Sequence, residues 1–244
     1  MARIAVYSVK GGVGKTTLAA NLAWCSAQIS RRRTLLWDLD PANGSGFLFG
    51  IDPKKKKQAD SVFALDRDPA KLIRKTDYNG LHLLPADESL RMLDRQFARF
   101  GKKKRLSKIA GLLDKDYERI VFDCPPVLNE VSEQVFRASD LIIVPLPPSP
   151  LSSRAFETVV DGVRQSGKKH PPILPVLSMI DMRRKLHKEA RAENPDWPFI
   201  PAASAVEQGA VRQQPVGAFA SRSPAAQAFA RLWTAIERKL AAKG

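Results

Sequence analysis

Short apolar runs alternate along the chain with longer stretches whose apolar residues recur at helical spacing. Six runs read as strands: "RIAVYS" (Arg3–Ser8), "TLLWDLD" (Thr34–Asp40), "LHLLPA" (Leu81–Ala86), "RIVFDCPP" (Arg119–Pro126), "LIIVPL" (Leu141–Leu146) and "PILPVLSMI" (Pro172–Ile180). Strand runs that are apolar throughout, rather than alternating, indicate a parallel sheet buried on both faces. Helices are predicted over Lys15–Gln28, Leu90–Phe100, Leu106–Asp114, Asn129–Arg137, Ser152–Ser166 and Ala225–Ala242. Strands and helices in alternation predict an α/β fold: a doubly wound, mostly parallel sheet flanked by helices. "PLPPSP" (Pro145–Pro150) and "KKHPP" fall at strand ends and read as loops, not linkers. With no repeat or low-complexity tract, one domain over residues 1–244 is expected, long enough to bury a core without disulfides or metal staples.

Composition narrows the function. The longest apolar runs are far too short to span a bilayer. The start, "MARIAVYSVKGG", has too brief an apolar stretch for a signal peptide and no cleavage site after it, so a cytoplasmic protein is expected. Two distant cysteines, Cys25 and Cys124, make neither a disulfide framework nor a metal site and read as small buried hydrophobes. The net charge of +15 calls for an anionic partner: nucleic acid, a membrane surface or an acidic protein. The basic residues cluster in "KKKK" (Lys54–Lys57), "RFGKKKRLSK" (Arg99–Lys108) and "RRKLHKEAR" (Arg183–Arg191). Any one run alone reads as a solvated face; the three together carry more weight.

The first strand ends and a helix begins at Gly11-Gly12-Val13-Gly14-Lys15-Thr16-Thr17, the context of a P-loop. Glycines let the backbone wrap an anion, and the loop N–H groups with the helix N-terminus point at its β-phosphate. Lys15 stands where a P-loop lysine reaches the β and γ oxygens, and Thr16 where a hydroxyl ligates Mg²⁺. The first glycine of the usual spacing is replaced by Val9, and a second lysine, Lys10, follows it.

"KGGVGKTT" resembles the deviant P-loop of the ParA/MinD family of ATPases, which includes DNA-partitioning, division-site and cargo-positioning proteins. The resemblance covers nearly the whole chain. "LLWDLDPANGSGFLFGID" is similar to the family's second motif, with Asp38 and Asp40 facing the phosphates. "YERIVFDCPPVLNEVSEQVF" resembles its Walker B strand, with Asp123 holding Mg²⁺ through water. "LSMIDMRRKLHKEA" resembles the segment whose strand lies near the adenine, and "FIPAASAVEQGAVRQQPV" the family's IP-x-n-P stretch near the C-terminus, with Pro201 and Pro215 in family-like positions; the resemblance implies Met179 and Pro201 as nucleotide-binding. The resemblance implies a P-loop NTPase fold, with ATP and Mg²⁺ as cofactors. It implies that Lys10 crosses a dimer interface to the partner's nucleotide, giving a homodimer when ATP is bound. Lys10, Lys15 and Asp40 are then the hydrolytic residues, Asp40 orienting the water. Turnover is expected to be slow and accelerated by a ParB-like or cargo-adaptor partner. Asp38, Asp40 and Asp123 would lie on segments ordered by the γ-phosphate.

Among functions in this family, the charge favours a partitioning ATPase on non-specific DNA, nucleoid-associated within the cytoplasm. No winged-helix extension is expected before the P-loop, so operator-specific binding is not. Arg183 stands where relatives carry a DNA-contacting arginine, beside Arg184 and Lys185, but Ala205 occupies the position of a second. The DNA face is therefore expected to extend to Arg212, Arg222 or the "KKKR" run. The alternative is a MinD-like membrane-associated regulator of division placement, using Phe229, Leu232, Trp233, Ile236 and Leu240 of the final helix on lipid. An apolar stripe is usually a packing face, so membrane binding is not the expectation. A metal-cluster assembly ATPase is disfavoured because no Cys-x-x-Cys is present.

Overall fold

The structure is a computed structural model that describes residues 1–52, 59–64, 68–100, 104–167 and 170–242, with residues 99 and 100 as backbone only. The Lys54–Lys57 run, and Lys102 and Lys103 of the "KKKR" run, lie outside the described residues. The strands are β1 (Ala2–Val6), β2 (Thr34–Asp38), β3 (Arg74–Lys75), β4 (Leu81–Leu84), β5 (Arg119–Asp123), β6 (Leu141–Leu146), β7 (Ile173–Ile180) and β8 (Phe199–Pro201). They form one eight-stranded sheet in the order β3-β4-β2-β5-β1-β6-β7-β8. Every neighbouring pair is parallel except the antiparallel edge strand β3 on β4.

The helices are α1 (Lys15–Gln28), α2 (Gly44–Leu48), α3 (Ser61–Ala64), α4 (Leu93–Phe100), α5 (Arg105–Leu112), α6 (Glu130–Ala138), α7 (Pro150–Gln165), α8 (Lys185–Glu193), α9 (Ser204–Arg212), α10 (Val216–Phe219) and α11 (Pro224–Ala241). The six expected strands are present, with small shifts at their ends. β2 and β5 stop at Asp38 and Asp123, short of the expected ends; after β2 the chain turns, and the Asp40 amide donates back to Asp38 Oδ1 at 2.9 Å. The helix expected over Leu90–Phe100 opens instead as a 3₁₀ turn at Glu88–Met92, set by Asp87 accepting from the Ser89 amide. Strands β3 and β8 and helices α2, α3, α8, α9 and α10 were not anticipated.

Both faces of the sheet are buried, and the strand side chains divide between them by the period of two. Ile4, Val6, Leu36, Val121 and Ile143 join a cluster with α1 and α11; Ala5, Tyr7, Trp37, Phe122 and Val144 join another that includes Phe97, Ile109, Phe136 and Val159. This explains the uniformly apolar runs. On α11, Phe229, Leu232, Trp233 and Ile236 are all buried against the sheet and α1, and the Trp233 indole donates to Ser30 Oγ at 2.8 Å. The face that would lie on lipid is spent on the core. Among the described residues no helix is long and apolar enough to cross a membrane.

The basic face expected over the "KKKR" run does not include Arg105. Arg105, the last residue of the "KKKR" run, points inward. It is 8% exposed, and its guanidinium caps the end of α3, with Nε on Phe63 O at 2.6 Å and Nη2 on Ala64 O at 2.7 Å. Its burial removes it from any DNA face.

Candidate nucleotide site

Strand β1 lies between β5 and β6, so the chain leaves it at the point where the strand order reverses. In open α/β sheets that is where a ligand crevice opens, beyond the carboxyl ends of the strands. The loop from Ser8 to Gly14 occupies it. Gly12 and Gly14 adopt φ of 70° and 89°, the left-handed region that other residues enter at a cost, and Gly14 caps the start of α1. The loop amides and the α1 N-terminus thus converge on one spot, suited to an anion.

Lys15, first residue of α1, is 7% exposed and its Nζ donates to the Lys10 carbonyl at 3.1 Å. Burial pulls its pKa below the usual lysine range, against the raising charges of Asp123, Cys124 and Asp40. Facing it are the carboxylates at the ends of β2 and β5, paired across the sheet in register. Asp38 is fully buried; its Oδ1 accepts from the Asp40 amide and its Oδ2 from the Ser45 amide, both at 2.9 Å. Ser45 Oγ donates to Asp123 Oδ2 at 2.9 Å, so one serine links the two acids. Burial, then the charge of Asp123, raises Asp38 well above the usual carboxylate range. Burial raises Asp123 to about 6, against hydrogen bonds from Ser45 and Thr16.

Asp123 Oδ1 is buried without a hydrogen-bond partner among the described residues, although the Thr16 hydroxyl lies against the same carboxylate. An orphaned carboxylate oxygen beside a hydroxyl, in an all-oxygen setting, fits a hard divalent cation such as Mg²⁺. Asp40 is half-buried; its backbone turns on Asp38 and its Oδ1 accepts from the Ala42 amide at 3.0 Å. Beside the loop is a cavity of about 220 Å³, bounded by Gly14, Thr17, Met179, Pro201, Val206 and Phe229. Val13 also lines it. Met179 holds φ of 56°, unusual for a non-glycine residue, and such strain is found where a site over-determines the backbone.

Residues 1–175 match the family described as an AAA domain. An uncharacterized protein of Pseudomonas putida is 31% identical over 206 residues, covering 79% of this chain and 76% of its own. The chromosome partitioning protein ParA of Myxococcus xanthus is 33% identical over 147 residues, 59% of this chain and 51% of that protein. Cobyrinic acid a,c-diamide synthase from Mycobacterium smegmatis, solved with an ATP analogue and magnesium, is 28% identical, with a TM-score of 0.74 over 87% of this chain and 91% of that one. The chain belongs to the ParA/MinD family of P-loop ATPases. In this ATPase the loop lysines have separate surroundings. Lys10 Nζ lies 3.3 Å from Ser149 Oγ and 3.1 Å from Ser152 Oγ, at the start of α7 in its own chain. Gly11 and Thr17 stand on the same loop and helix start, Gly11 exposed and Thr17 bordering the cavity.

The basic residues expected on DNA fall on three elements. Arg183 and Arg184 lie in the turn between β7 and α8, beyond the carboxyl end of β7, Lys185 opens α8, and all three are exposed. Arg183 is 90% exposed but held by Asp181, with Nε on Oδ1 and Nη2 on Oδ2, each at 2.8 Å. Arg212 ends α9 with its guanidinium 5.0 Å from the Phe219 ring centre, and Arg222 lies exposed between α10 and α11. Ala205 is half-buried and packs against the α1/α11 cluster. Sequence reading missed Ser45, Ser149 and Ser152. "SGFLF" and "SPLSS" carry no signal beyond hydroxyls near turns, because each serine acts on a residue more than 70 positions away.

Proposed function

We propose that this ATPase is a partitioning or positioning switch that binds DNA without sequence preference as an ATP dimer and is reset by hydrolysis. The observation that carries the reading is the pair Asp38 and Asp123, linked through Ser45, with the buried Lys15 ammonium within reach of the Asp123 charge at the glycine loop. The loop, Lys15, Thr16 and Thr17 hold the phosphates; Met179 and Pro201 border the base. Thr16 and Asp123 would hold Mg²⁺, which supplies charge neutralisation on the β and γ oxygens when bound. Asp40 positions the attacking water. An aspartate near pH 7 is a weak base, so positioning suits it better than proton abstraction. Lys10 leaves Ser149 and Ser152 to reach the nucleotide of a second copy, making the dimer specific for ATP. Arg183, Arg184 and Lys185, with Arg212 and Arg222, give the dimer two copies of each basic patch. DNA, a homodimer partner and an activating adaptor are the partners that follow, and a nucleoid-associated cytoplasmic protein is the setting. The burial of the α11 stripe speaks against the membrane-bound alternative.

The test is DNA binding by the ATP-bound and ADP-bound protein over a series of salt concentrations. The ATP form should bind unrelated duplexes alike, with affinity falling on the order of 0.9 log unit per log unit of salt for each phosphate contact. Equal binding by the two nucleotide forms, or ATP-dependent pelleting with anionic liposomes and no DNA binding, overturns the reading.

A further inference from the structure

Three basic side chains meet at the amino ends of the strands, opposite the nucleotide loop. Lys75 of β3 stands directly across from His82 of β4 in the antiparallel register. Residues so opposed project to the same face of the sheet. In the next strand pair Leu35 of β2 lies across from His82. Arg33, two residues before Leu35, shares its face by the period of two. A long side chain spans the roughly 7–8 Å to a diagonal neighbour. Tyr117, just before β5, completes the group. Its hydroxyl lies 2.7 Å from His82 Nδ1, and the Arg33 guanidinium lies 5.8 Å from its ring centre.

The frame beneath these side chains is fixed. The Arg33 carbonyl accepts from the Glu118 and Arg119 amides at 2.8 and 3.2 Å, and its amide donates to Glu118 Oε2 at 3.1 Å. Tyr117 is buried and His82 half-buried, while Arg33 and Lys75 are exposed. The charge here is not neutralised from within the chain. Arg32 takes Glu118 and Arg119 takes Glu237 as ion-pair partners. Among the described residues neither Arg33 nor Lys75 has a carboxylate partner. Asp116 is the acid whose charge acts on Tyr117. Burial, then the charges of Arg33 and Lys75, hold His82 below the usual histidine range. Burial pushes Tyr117 up to about 12, so its hydroxyl keeps its proton. That hydroxyl donates to Nδ1 of a neutral ring or accepts from a charged one. His82 can therefore take up a proton without losing its hydrogen bond to Tyr117; what opposes its charging is burial and the two unpaired cations.

We propose that Arg33, Lys75 and His82 form a binding site for a phosphate group, as the free ion or a monoester, at the end of the sheet remote from the nucleotide loop. The guanidinium offers paired donors, the ammonium a point charge and the imidazole one further donor. A bound phosphate offsets both cations and removes their opposition to charging His82. Arg33 lies five residues from Asp38 along the chain, about 17 Å at roughly 3.3 Å per residue, so an anion in the nucleotide loop does not reach this ring. The site does not depend on the roles proposed for Lys10, Asp40 or DNA.

The test follows the His82 ring by proton NMR across a pH series, with its resonance assigned by His82→Gln. An opposite charge within about 4–6 Å moves a pKa by roughly 1–3 units. Inorganic phosphate should raise the His82 midpoint by about one pH unit or more. Sodium chloride at equal ionic strength only screens, and should give a clearly smaller rise. Combined Arg33→Gln and Lys75→Gln should raise the midpoint without phosphate, because the repulsion is gone, and abolish the response to phosphate. Combined Arg154→Gln and Lys188→Gln, which makes the same change in net charge at exposed positions elsewhere, should keep the wild-type response. Circular dichroism checks that each variant is folded. Methyl phosphate is the second probe: a response equal to that of inorganic phosphate extends the site to esters, and none confines it to the free ion. A midpoint that phosphate moves no further than chloride does, or a response that survives in the Arg33/Lys75 variant, overturns the proposal. So does a midpoint that duplex DNA shifts and phosphate does not, which would make this end of the sheet a nucleic-acid contact.

Discussion

Replacing Asp123 by asparagine should stabilise the nucleotide-free protein and remove its response to Mg²⁺ and ATP. Asp123 is fully buried, and burial is the main reason its carboxyl titrates at about 6 instead of 3.8. A raised value in the folded state means that, between about pH 4 and pH 6, the folded protein keeps a proton that the unfolded chain releases. Stability therefore falls as pH climbs through that window, and the deficit persists above it. Roughly two pH units at about 1.36 kcal/mol each make a deficit on the order of 3 kcal/mol at pH 7. Asparagine keeps an oxygen to accept from Ser45 Oγ, and it also relieves Asp38, whose carboxyl is raised in part by the charge of Asp123. Recovering about 1–3 kcal/mol should raise Tm by roughly 2–10 °C in a chain of this size. Scanning calorimetry without nucleotide at pH 7 and at pH 4 reads the effect, which should shrink at the lower pH as the wild-type carboxyl takes up its proton. Added Mg²⁺ and ATP should raise the Tm of the wild type alone. A variant that melts below the wild type at pH 7, or a difference unchanged at pH 4, refutes the electrostatic argument.

Lys10→Ala should leave nucleotide affinity within a few-fold and abolish ATP-driven dimerisation, read by light scattering with ATP and with ADP; ATP-dependent dimers in the variant would sink the cross-interface role. Its Tm should move little, because the bonds to Ser149 and Ser152 are only part-buried and a net hydrogen bond is worth about 1 kcal/mol. Asp40→Ala should slow phosphate release about tenfold or more while ATP still binds, whereas Lys15→Ala should lose affinity itself; unchanged turnover in the Asp40 variant removes Asp40 from the hydrolytic role. Arg183→Glu should weaken DNA binding equally on all sequences, and the salt slope should flatten by roughly 0.9 for every phosphate the protein no longer neutralises. Hydrolysis without DNA should be unaffected, and a sequence-selective effect would contradict a phosphate contact.

The sheet was legible because its strands are buried on both faces, which leaves uniform apolar runs such as Leu141–Leu146 that nothing else in the chain imitates. The P-loop was legible because its backbone demands glycine, as Gly12 and Gly14 show by their positive φ. Elements without such a demand were not. β8 has three residues, and α8 buries only His187, so neither prints a period. Charge runs were legible as charge but not as direction. Arg105 sits in a basic run and yet folds inward, because the end of α3 offers two carbonyls that a guanidinium can satisfy together. The serines that tie Asp38 to Asp123 and Lys10 to α7 depend on which elements meet across the sheet, and a local pattern does not contain that information.

Lys10 is the residue at which the site's two halves join. Its carbonyl holds the Lys15 ammonium, and its own ammonium holds the start of α7 through Ser149 and Ser152. Without an anion, Lys15 is a buried cation whose pKa burial has lowered, and the Lys10 carbonyl is the acceptor it has found. A phosphate oxygen is a stronger acceptor, because a charge-assisted bond is roughly twice as strong as one to a neutral group. On the proposed phosphate role of Lys15, nucleotide therefore competes with the Lys10 carbonyl for it. With Lys15 on phosphate in that reading, the carbonyl it held is released at the residue whose side chain is anchored to the start of α7. On that reading, phosphate binding and the departure of Lys10 from Ser149 and Ser152 act on opposite ends of one residue. That gives nucleotide and the proposed second copy a common element to bias, as coupling between two sites requires.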